Sequence, residues 1–371
     1  MEAPPAQARK TPLYDAHRTL GAKIIDFGGW LMPVQYATGI IDEHQTTRRA
    51  VGLFDVCHMG EVDFRGPRAT EAVQRLVTGD IGGLPDGRAV YVVACYPDGG
   101  IVDDLIVYRA GPEHLLIVVN AANVAKDVAW FRENVGTWCD VVDASDQTGL
   151  LAFQGPLAEA ALQPLTATPL GAMTHHAFRE TANVAGVDVS IARSGYTAED
   201  GFELFCGLGD VPRLWDALLD AAARVGGKPV GLGARDTLRL EGRLSLYGNE
   251  LTNHTTPLEA GLAWVVKLDA GDFIGREALL KQRAEGTTRK LAGFVMVGRG
   301  IARHGYPIVD DAGARIGEVT SGAPGPTVGR NIGLGYVPIA RAEPGARLVV
   351  DCRGKFVEAE VVKGPFYKRS R

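Results

Sequence analysis

The C-terminal part of the sequence is a series of short β-type runs, and this pattern restricts the fold more than any other feature. From Lys290 onwards, apolar and β-branched residues recur in brief segments that Gly, Pro and Asp separate, at residues 291–297, 315–320, 332–337, 348–352 and 356–362. Strand signals at regular spacing, with no long helical pattern between them, are typical of antiparallel barrels and sandwiches. We therefore expect residues 290–371 to form a separate all-β barrel domain.

Residues 1–283 mix strand and helix patterns. Short apolar or alternating segments predict strands at 91–96, 101–109, 115–119, 148–153 and 202–206. Helical spacing of apolar residues appears at 124–135 and 212–223. The chain contains 47 glycines and 20 prolines, which suit tight turns between antiparallel strands. The sequence predicts an α+β region of two intertwined lobes with antiparallel sheets, joined to the barrel by a linker at 283–288.

Two adjacent acids, Asp103 and Asp104, interrupt the apolar run of the strand predicted at 101–109. A carboxylate buried without a partner is costly, so such a residue binds something, takes up a proton or lies near the exposed end of its strand. Successive side chains of a strand point to opposite faces. The two acids therefore cannot act as a close pair, and only one of them can face a given pocket.

Charge and hydropathy argue against two classes of partner. The formal net charge is -5 and the pI is about 5.9, with Lys and Arg scattered, so the chain offers no basic field for nucleic acid. No apolar run approaches the roughly 18 to 20 residues that cross a bilayer, and the first residues lack a signal-peptide pattern. We expect a cytoplasmic protein that binds neither nucleic acid nor membrane.

The spacing of cysteine and histidine does not suggest a metal site. The 5 cysteines are odd in number and far apart, which favours free thiols in a reducing compartment over a disulfide framework. The 8 histidines show no HxH or HExxH spacing. Neither GxxxxGK[ST] nor GxSxG occurs, so the common signatures of nucleoside triphosphatases and of serine hydrolases are absent.

Five blocks follow one another in an order that is more specific than any single motif. They are FGGWLMPVQY at 27–36, GLFDVCHMG at 52–60, GGIVDDLIVY at 99–108, SGYTAEDGFE at 194–203 and GLGARD at 231–236. In this order they closely resemble the T-protein family of the glycine cleavage system, the folate-dependent aminomethyltransferases. The resemblance runs from about Thr11 to the PFYK segment at 365–368. Cys57 stands where T-proteins usually carry Ser, and Ala198 stands where they usually carry Gly.

The resemblance implies a fold, a reaction and partners. T-proteins have three domains in a ring with folate in the central opening. They take an aminomethyl group from the dihydrolipoyl arm of the lipoylated H-protein, release its nitrogen as ammonia and pass the one-carbon unit to tetrahydrofolate as the 5,10-methylene form. The implied cofactor is tetrahydrofolate, with no metal. The implied partner is the H-protein, with a functional link to the P- and L-proteins.

The resemblance also implies roles for individual residues. Asp103 matches the acid that T-proteins place beside the reacting folate nitrogens. Glu203 matches the acid that holds the pterin, since one carboxylate can accept two neighbouring N–H groups. Arg235 would pair with Glu203 or reach the folate, and the family places three further positions near the cofactor, at Tyr91, Asn120 and Tyr196. From the residues alone, core packing or an exposed strand position competes with each role.

Two other functions remain open from the sequence. Another tetrahydrofolate-dependent demethylase on the same scaffold, acting on a methylated amine, sulfonium or aryl ether, would keep the Glu203 site and change the outer wall of the pocket. A non-catalytic folate-binding protein of iron–sulfur maintenance would carry a Lys-Gly-Cys-Tyr block, which this sequence lacks. Aminomethyl transfer is therefore the favoured hypothesis.

Overall fold

The computed structural model describes residues 8–310 and 312–369, and in these residues it has both strands and helices. The strands are β1 (Arg9–Lys10), β2 (Lys23–Phe27), β3 (Trp30–Gln35), β4 (Gly52–Asp55), β5 (Gly60–Arg65), β6 (Arg88–Cys95), β7 (Ile101–Gly111), β8 (His114–Val119), β9 (Asp140–Asp143), β10 (Thr148–Gln154), β11 (Phe178–Val184), β12 (Val187–Ala192), β13 (Gly201–Gly207), β14 (Lys228–Pro229), β15 (Arg289–Met296), β16 (Pro307–Val309), β17 (Arg315–Gly325), β18 (Arg330–Pro338), β19 (Arg347–Asp351) and β20 (Phe356–Val362). The helices are α1 (Tyr14–Thr19), α2 (Ile40–Arg49), α3 (Ala69–Leu76), α4 (Val124–Val135), α5 (Ala158–Leu162), α6 (Val211–Arg224), α7 (Leu232–Glu241) and α8 (Arg276–Glu285). The predicted α+β class is confirmed.

The chain divides into two compact units, each built from several segments. The first unit contains the chain up to Thr70 together with Leu84–Val90 and Ile106–Asp236. The second unit contains Glu71–Gly83, Tyr91–Leu105 and the chain from Thr237 onwards. The division expected from the sequence, into residues 1–283 and 290–371, stays a prediction.

The first unit is organised around antiparallel strands covered by an amphipathic helix. Its largest sheet has the order β11-β12-β13-β10-β4-β14, and only the short β14 runs parallel to its neighbour. Helix α6 carries Pro in its first turn, where the missing N–H has no intrahelical partner to lose. Its apolar face buries Leu214, Trp215 and Leu218 in the same core as the sheet. Within this sheet β13 is an interior strand, with β12 on one side and β10 on the other.

A hairpin turn between β6 and β7 sets the start of the acid-bearing strand. The Asp98 carboxylate accepts a hydrogen bond from the Gly100 N–H at 3.0 Å, a local turn contact that Asp makes readily. A Cβ atom at Gly100 would lie 2.2 Å from the carbonyl oxygen of Asn253, so only glycine fits there. The hairpin predicted from 91–96 and 101–109 is confirmed. The five-stranded sheet that contains it has the order β6-β7-β8-β5-β9.

The second unit ends in a closed barrel, as the short runs after Lys290 predict. The barrel order is β15-β18-β17-β16-β19-β20, with antiparallel neighbours. Alternate side chains such as Phe294, Ile308 and Val350 fill its interior. The sequence analysis missed β16, because three residues are too few to show an alternating pattern.

The linker expected at 283–288 is wrong in its first half. Helix α8 continues to Glu285, and only the residues between it and β15 lie outside regular structure. The helix is rich in strong helix formers and contains the buried Leu279, so it continues until Gly286, whose φ of 84° suits a helix end. Across the described ranges, 8–310 and 312–369, no helix is long and apolar enough to span a membrane.

Candidate functional site

Glu203 lies at the centre of a polar cluster in the first unit. Its carboxylate accepts a hydrogen bond from the Tyr108 hydroxyl at 3.0 Å and a second, short one from the Ser194 hydroxyl. Glu203 is half-buried on β13, whereas Tyr108 on β7 is fully buried. Burial raises the pKa of Tyr108, and the neighbouring Glu203 raises it further. The phenol therefore stays protonated and holds the Glu203 carboxylate in one orientation.

The loop between β12 and β13 carries Ser194, and hydrogen bonds with the Gln154 side chain hold this loop in place. The Gln154 side chain donates to the Ser194 carbonyl oxygen at 2.9 Å and accepts from the Thr197 hydroxyl at 2.9 Å. A Cβ atom at Gly195 would lie 1.8 Å from the Gln154 side chain, so the contact requires glycine. Ala198 has a φ of 60°, in the left-handed region that favours glycine. T-proteins usually carry Gly at this position, and the left-handed backbone of Ala198 gives a physical reason for that preference.

Buried ion pairs hold the other side of this loop. The Arg48 guanidinium on α2 donates to the Thr197 carbonyl oxygen at 2.6 Å and to the Glu199 carboxylate at 2.9 Å. The side chains of Arg48 and Glu199 are only 4% and 3% exposed, so their charges are compensated inside the protein. Arg193 pairs with Asp200 in the same loop. The loop therefore presents Ser194 and Tyr196 from a rigid support.

Tyr196 and Arg235 form a stacked pair. The Arg235 guanidinium, near the start of α7, lies 4.4 Å from the centre of the Tyr196 ring, within the range of a cation–π contact. Burial and the positive charge of Arg235 lower the pKa of His58 to about 4, so this imidazole is neutral at physiological pH. Of the residues expected at the folate site, the structure brings Arg235 and Tyr196 into contact.

Asn120 directly follows β8 and is half-buried.

Glu61 is a second acid on the sheet face that carries Tyr108. Cross-strand pairing places Tyr108, Leu116 and Asp63 in one row and Ile106, Val118 and Glu61 in the next. Glu61 is 1% exposed, and neither of its carboxyl oxygens has a hydrogen-bond partner in the part of the chain that the structure describes. Burial raises the pKa of Glu61 well above its ordinary value, and the charge of Asp143 adds to this effect. Burial therefore favours the protonated form of the Glu61 carboxyl group, next to the Glu203 cluster.

The second unit contains Asp103, Asp104 and Tyr91. Asp103 is fully buried, and Asp104 is half-buried, as expected for neighbours on opposite faces of β7. The Tyr91 hydroxyl donates to the Asp104 carboxylate at 3.0 Å. The Tyr91 ring stacks on Trp264, with ring centres 5.9 Å apart and an angle of 25° between the planes. Among residues 8–310 and 312–369, no group of three His, Cys, Asp or Glu side chains is placed to hold a metal ion.

Sequence reasoning missed two residues of these clusters and the bond made by a third. Ser194 lies in a recognised block, but its contact with Glu203 depends on the register of β12 and β13. Tyr108 lies in the recognised block at 99–108, but its hydrogen bond to Glu203 joins residues 95 positions apart and is not visible in the sequence. Trp264 lies in no motif, and only its stacking on Tyr91 draws attention to it.

An α+β region with an acid-bearing hairpin, followed by a closed six-stranded barrel, defines the architectural class of the glycine cleavage T-proteins. The family model described as GCVT N-terminal domain matches residues 13–270, and the glycine cleavage T-protein C-terminal barrel domain matches residues 289–368. The solved structure of the glycine cleavage system aminomethyltransferase T from Bartonella henselae superposes with a TM-score of 0.91 at 36% identity, covering 97% of this chain and 98% of that one.

Similarity to aminomethyltransferases extends over nearly the whole chain. The aminomethyltransferase of Rubrobacter xylanophilus is 51% identical over 365 residues, which cover 98% of this chain and 95% of that protein. The Bacillus subtilis aminomethyltransferase is 46% identical over 362 residues, which cover 97% of this chain and 99% of the relative. The chain belongs to the glycine cleavage T-protein family, a family of aminomethyltransferase enzymes.

Proposed function

We propose that this protein transfers the one-carbon unit of S-aminomethyl-dihydrolipoyl H-protein to tetrahydrofolate, giving 5,10-methylenetetrahydrofolate and ammonia. Full-length similarity to aminomethyltransferases supports the transfer chemistry. The observation that carries the folate assignment is the Glu203 carboxylate, fixed by Tyr108 and Ser194 in one orientation. A carboxylate held in this way is suited to accept two adjacent N–H groups of a pterin ring.

The reaction balances without an oxidant or a reductant. The methylene carbon loses its bonds to the arm sulfur and to the amine nitrogen, and it gains bonds to two folate nitrogens. The two protons displaced from the folate nitrogens end on the thiol and on the released ammonia. The protein must align the folate nitrogens with the carbon and provide for these proton movements.

The candidate residues have three kinds of role in this proposal. Glu203 orients the pterin. Asp103 steers proton transfer and stabilises the cationic, iminium-like carbon, without becoming alkylated itself. Arg235, Tyr196, Asn120 and Tyr91 contribute contacts to the folate. The stacking of Arg235 on Tyr196 supports a shared contact surface for a flat heterocycle.

The donor in this proposal arrives on a second protein, the lipoylated H-protein, with a functional link to the P- and L-proteins. Tetrahydrofolate is the acceptor, and the cytoplasm is the expected location. The decisive experiment incubates the protein with aminomethylated, lipoylated H-protein and measures ammonia with and without tetrahydrofolate. We expect ammonia release to require tetrahydrofolate and to match the 5,10-methylenetetrahydrofolate formed. Rapid ammonia release without the folate, or none with it, would contradict the proposal.

A further inference from the structure

A buried ion pair in the second unit connects the barrel with the segment 239–250. The Arg239 guanidinium donates to the Glu250 carboxylate at 2.8 Å, and the two side chains are only 1% and 0% exposed. Removing two charges from water is costly, and their attraction offsets this cost only when further hydrogen bonds complete the pair. Glu250 receives such bonds from the Leu246 N–H at 3.0 Å and from the Thr320 hydroxyl at 2.6 Å. The Glu250 carboxylate is therefore held in one position.

The barrel reaches this ion pair through a β-bulge. The register of β17 against β18 shifts between Val319 and Ser321, which makes Thr320 the extra residue of the bulge. Consecutive side chains of a regular strand point to opposite faces, whereas here two consecutive hydroxyls meet the same ion pair. The Thr320 hydroxyl donates to Glu250, and the Ser321 hydroxyl oxygen accepts from Arg239 at 2.8 Å. The bulge thus ties Glu250 to the barrel.

Tyr247 extends this support to the strand that carries Asp103. Its hydroxyl donates to the carbonyl oxygen of Ile101, the first residue of β7, at 3.2 Å. The Ile101 N–H donates to the carbonyl oxygen of Thr255 at 3.1 Å, so the segment 247–255 contacts both backbone groups of Ile101. The Tyr247 ring also packs against the core that contains Ile101. Side chains two residues apart share one face of a strand, so the position of Ile101 sets that of Asp103.

We propose that Tyr247 is a positioning residue for aminomethyl transfer, which holds the start of β7 so that Asp103 stays aligned with the reacting atoms. This inference rests on the proposed function, because that function gives Asp103 its part in proton transfer. The contacts run from the barrel through Glu250 and the neighbouring Leu246 to Tyr247. A misplacement of a reacting group by about 1 Å can cost about 100-fold in rate. The barrel thereby contributes to the rate through the backbone of β7.

The test is a double-mutant cycle that measures ammonia release at saturating aminomethylated H-protein and tetrahydrofolate. Tyr247→Phe keeps the ring and removes the hydroxyl, and Thr320→Val removes the hydroxyl at the barrel end with little change of volume. Both substitutions are made in the wild type and in Asp103→Asn. Tyr306→Phe is the control, because it makes the same chemical change at a tyrosine that packs against the barrel core. Tetrahydrofolate affinity and melting temperature are measured for every protein.

We expect Tyr247→Phe to lower kcat by about 10- to 100-fold in the wild type, as for a misplaced reacting group. In Asp103→Asn the same substitution should change kcat by less than about 2-fold, because the group that it positions is already lost. Thr320→Val should follow the same pattern with a smaller loss, and Tyr306→Phe should behave as wild type. Tetrahydrofolate affinity should stay close to that of the wild type, and the melting temperature should fall by at most about 2 to 4 °C.

The cycle separates a failure of this inference from a failure of the proposed function. Equal losses for Tyr247→Phe in both backgrounds, or wild-type kcat in Tyr247→Phe, would overturn the inference alone. An unchanged kcat in Thr320→Val would overturn the part assigned to the barrel. A fully active Asp103→Asn enzyme, or a wild-type protein that released no ammonia, would contradict the proposed function and the inference with it.

Discussion

At the scale of single residues, two glutamates of the first unit, Glu203 and Glu61, have opposite environments. Glu203 receives hydrogen bonds from Tyr108 and Ser194, whereas burial raises the pKa of Glu61 well above its ordinary value. Both side chains lie near Tyr108, yet only Glu203 is held by donors. The hydrogen-bond partners, and not the residue type, therefore favour Glu203 over Glu61 as the proposed pterin acid.

Replacing Glu203 with Gln should weaken tetrahydrofolate binding by about 10- to 150-fold, because one charged acceptor becomes a donor that faces a donor. Calorimetry with tetrahydrofolate measures the effect. Glu61→Gln is the matched control, since it makes the same chemical change in a buried acid whose oxygens accept no hydrogen bond from the described residues, and it should leave the affinity unchanged. Wild-type affinity in a folded Glu203→Gln protein would show that the pterin is held elsewhere.

The two adjacent acids of β7, Asp103 and Asp104, should likewise differ in their effect on the reaction rate. Asp103→Asn preserves shape and removes the proton acceptor, and loss of a positioned acid or base costs about 10² to 10⁴ in rate. We expect kcat to fall at least about 100-fold while tetrahydrofolate still binds. Asp104→Asn should leave kcat nearly unchanged and act mainly on stability.

Rates of ammonia release, folate affinity and melting temperature should be measured for both proteins. A fully active Asp103→Asn enzyme would mean that the wrong carboxylate has been assigned to the reaction. The same conclusion would follow from a stably folded but inactive Asp104→Asn enzyme.

At the scale of elements, an imidazole joins two sheets of the first unit. His114 at the start of β8 contacts Asp63 on β5 at 2.7 Å through Nε2 and Glu180 on β11 at 2.8 Å through Nδ1. The side chain of His114 is 19% exposed. Asp63 raises the pKa of His114 through its hydrogen bond, and the effect outweighs burial and the nearby Arg65. When protonated, His114 ties β5 and β8 to β11 through both ring nitrogens.

This contact should make stability depend on pH. Because the pKa of His114 in the folded protein lies above its unfolded value of 6.5, the stabilisation is complete below pH 6.5 and is lost as pH rises through the folded pKa. The pKa of Asp63 is lowered by His114 and Arg65, so its contribution is lost only in acid, below its ordinary value of 3.8. His114→Gln should therefore lower the melting temperature more at pH 6 than at pH 9.

For a partly exposed contact of this kind the loss should be at most about 1 kcal/mol, or roughly 2 to 4 °C. Melting curves at both pH values measure it. His254→Gln serves as the control, because His254 is exposed. An equal loss for His114→Gln at both pH values would show that His114 contributes through packing and not through its charge.

At the scale of the whole molecule, the proposed reaction needs a donor that a second protein delivers. A carrier that docks on the enzyme holds its arm at a high effective concentration, whereas a free arm must be aligned in each encounter. We expect kcat/KM for aminomethyl-lipoyl H-protein to exceed that for free S-aminomethyl dihydrolipoamide by about tenfold or more. Steady-state ammonia release with both donors measures the ratio.

Similar kcat/KM values for the two donors would show that docking contributes little. That result would favour the alternative of a demethylase that acts on a small molecule.

The sequence by itself determined the kinds of elements, their order and the family. Alternation and helical spacing are local properties, so the hairpin at β6 and β7, helix α6 and five of the six barrel strands follow from neighbouring residues. The sequence also identifies the two acids of β7, because charged residues are unusual within an apolar run. Helix α8 extends into the linker that the sequence predicts at 283–288, because helix formers continue up to Gly286.

Only the tertiary structure decided which side chains meet. The bond from Tyr108 to Glu203 joins residues 95 positions apart, and the contact of Arg48 with Glu199 spans 151 positions. Such contacts depend on strand order and register, which a local pattern does not contain, because a shift of one residue turns every side chain to the opposite face. The isolation of Glu61, the support beneath the Ser194 loop and the stacking of Trp264 on Tyr91 all arise at this level.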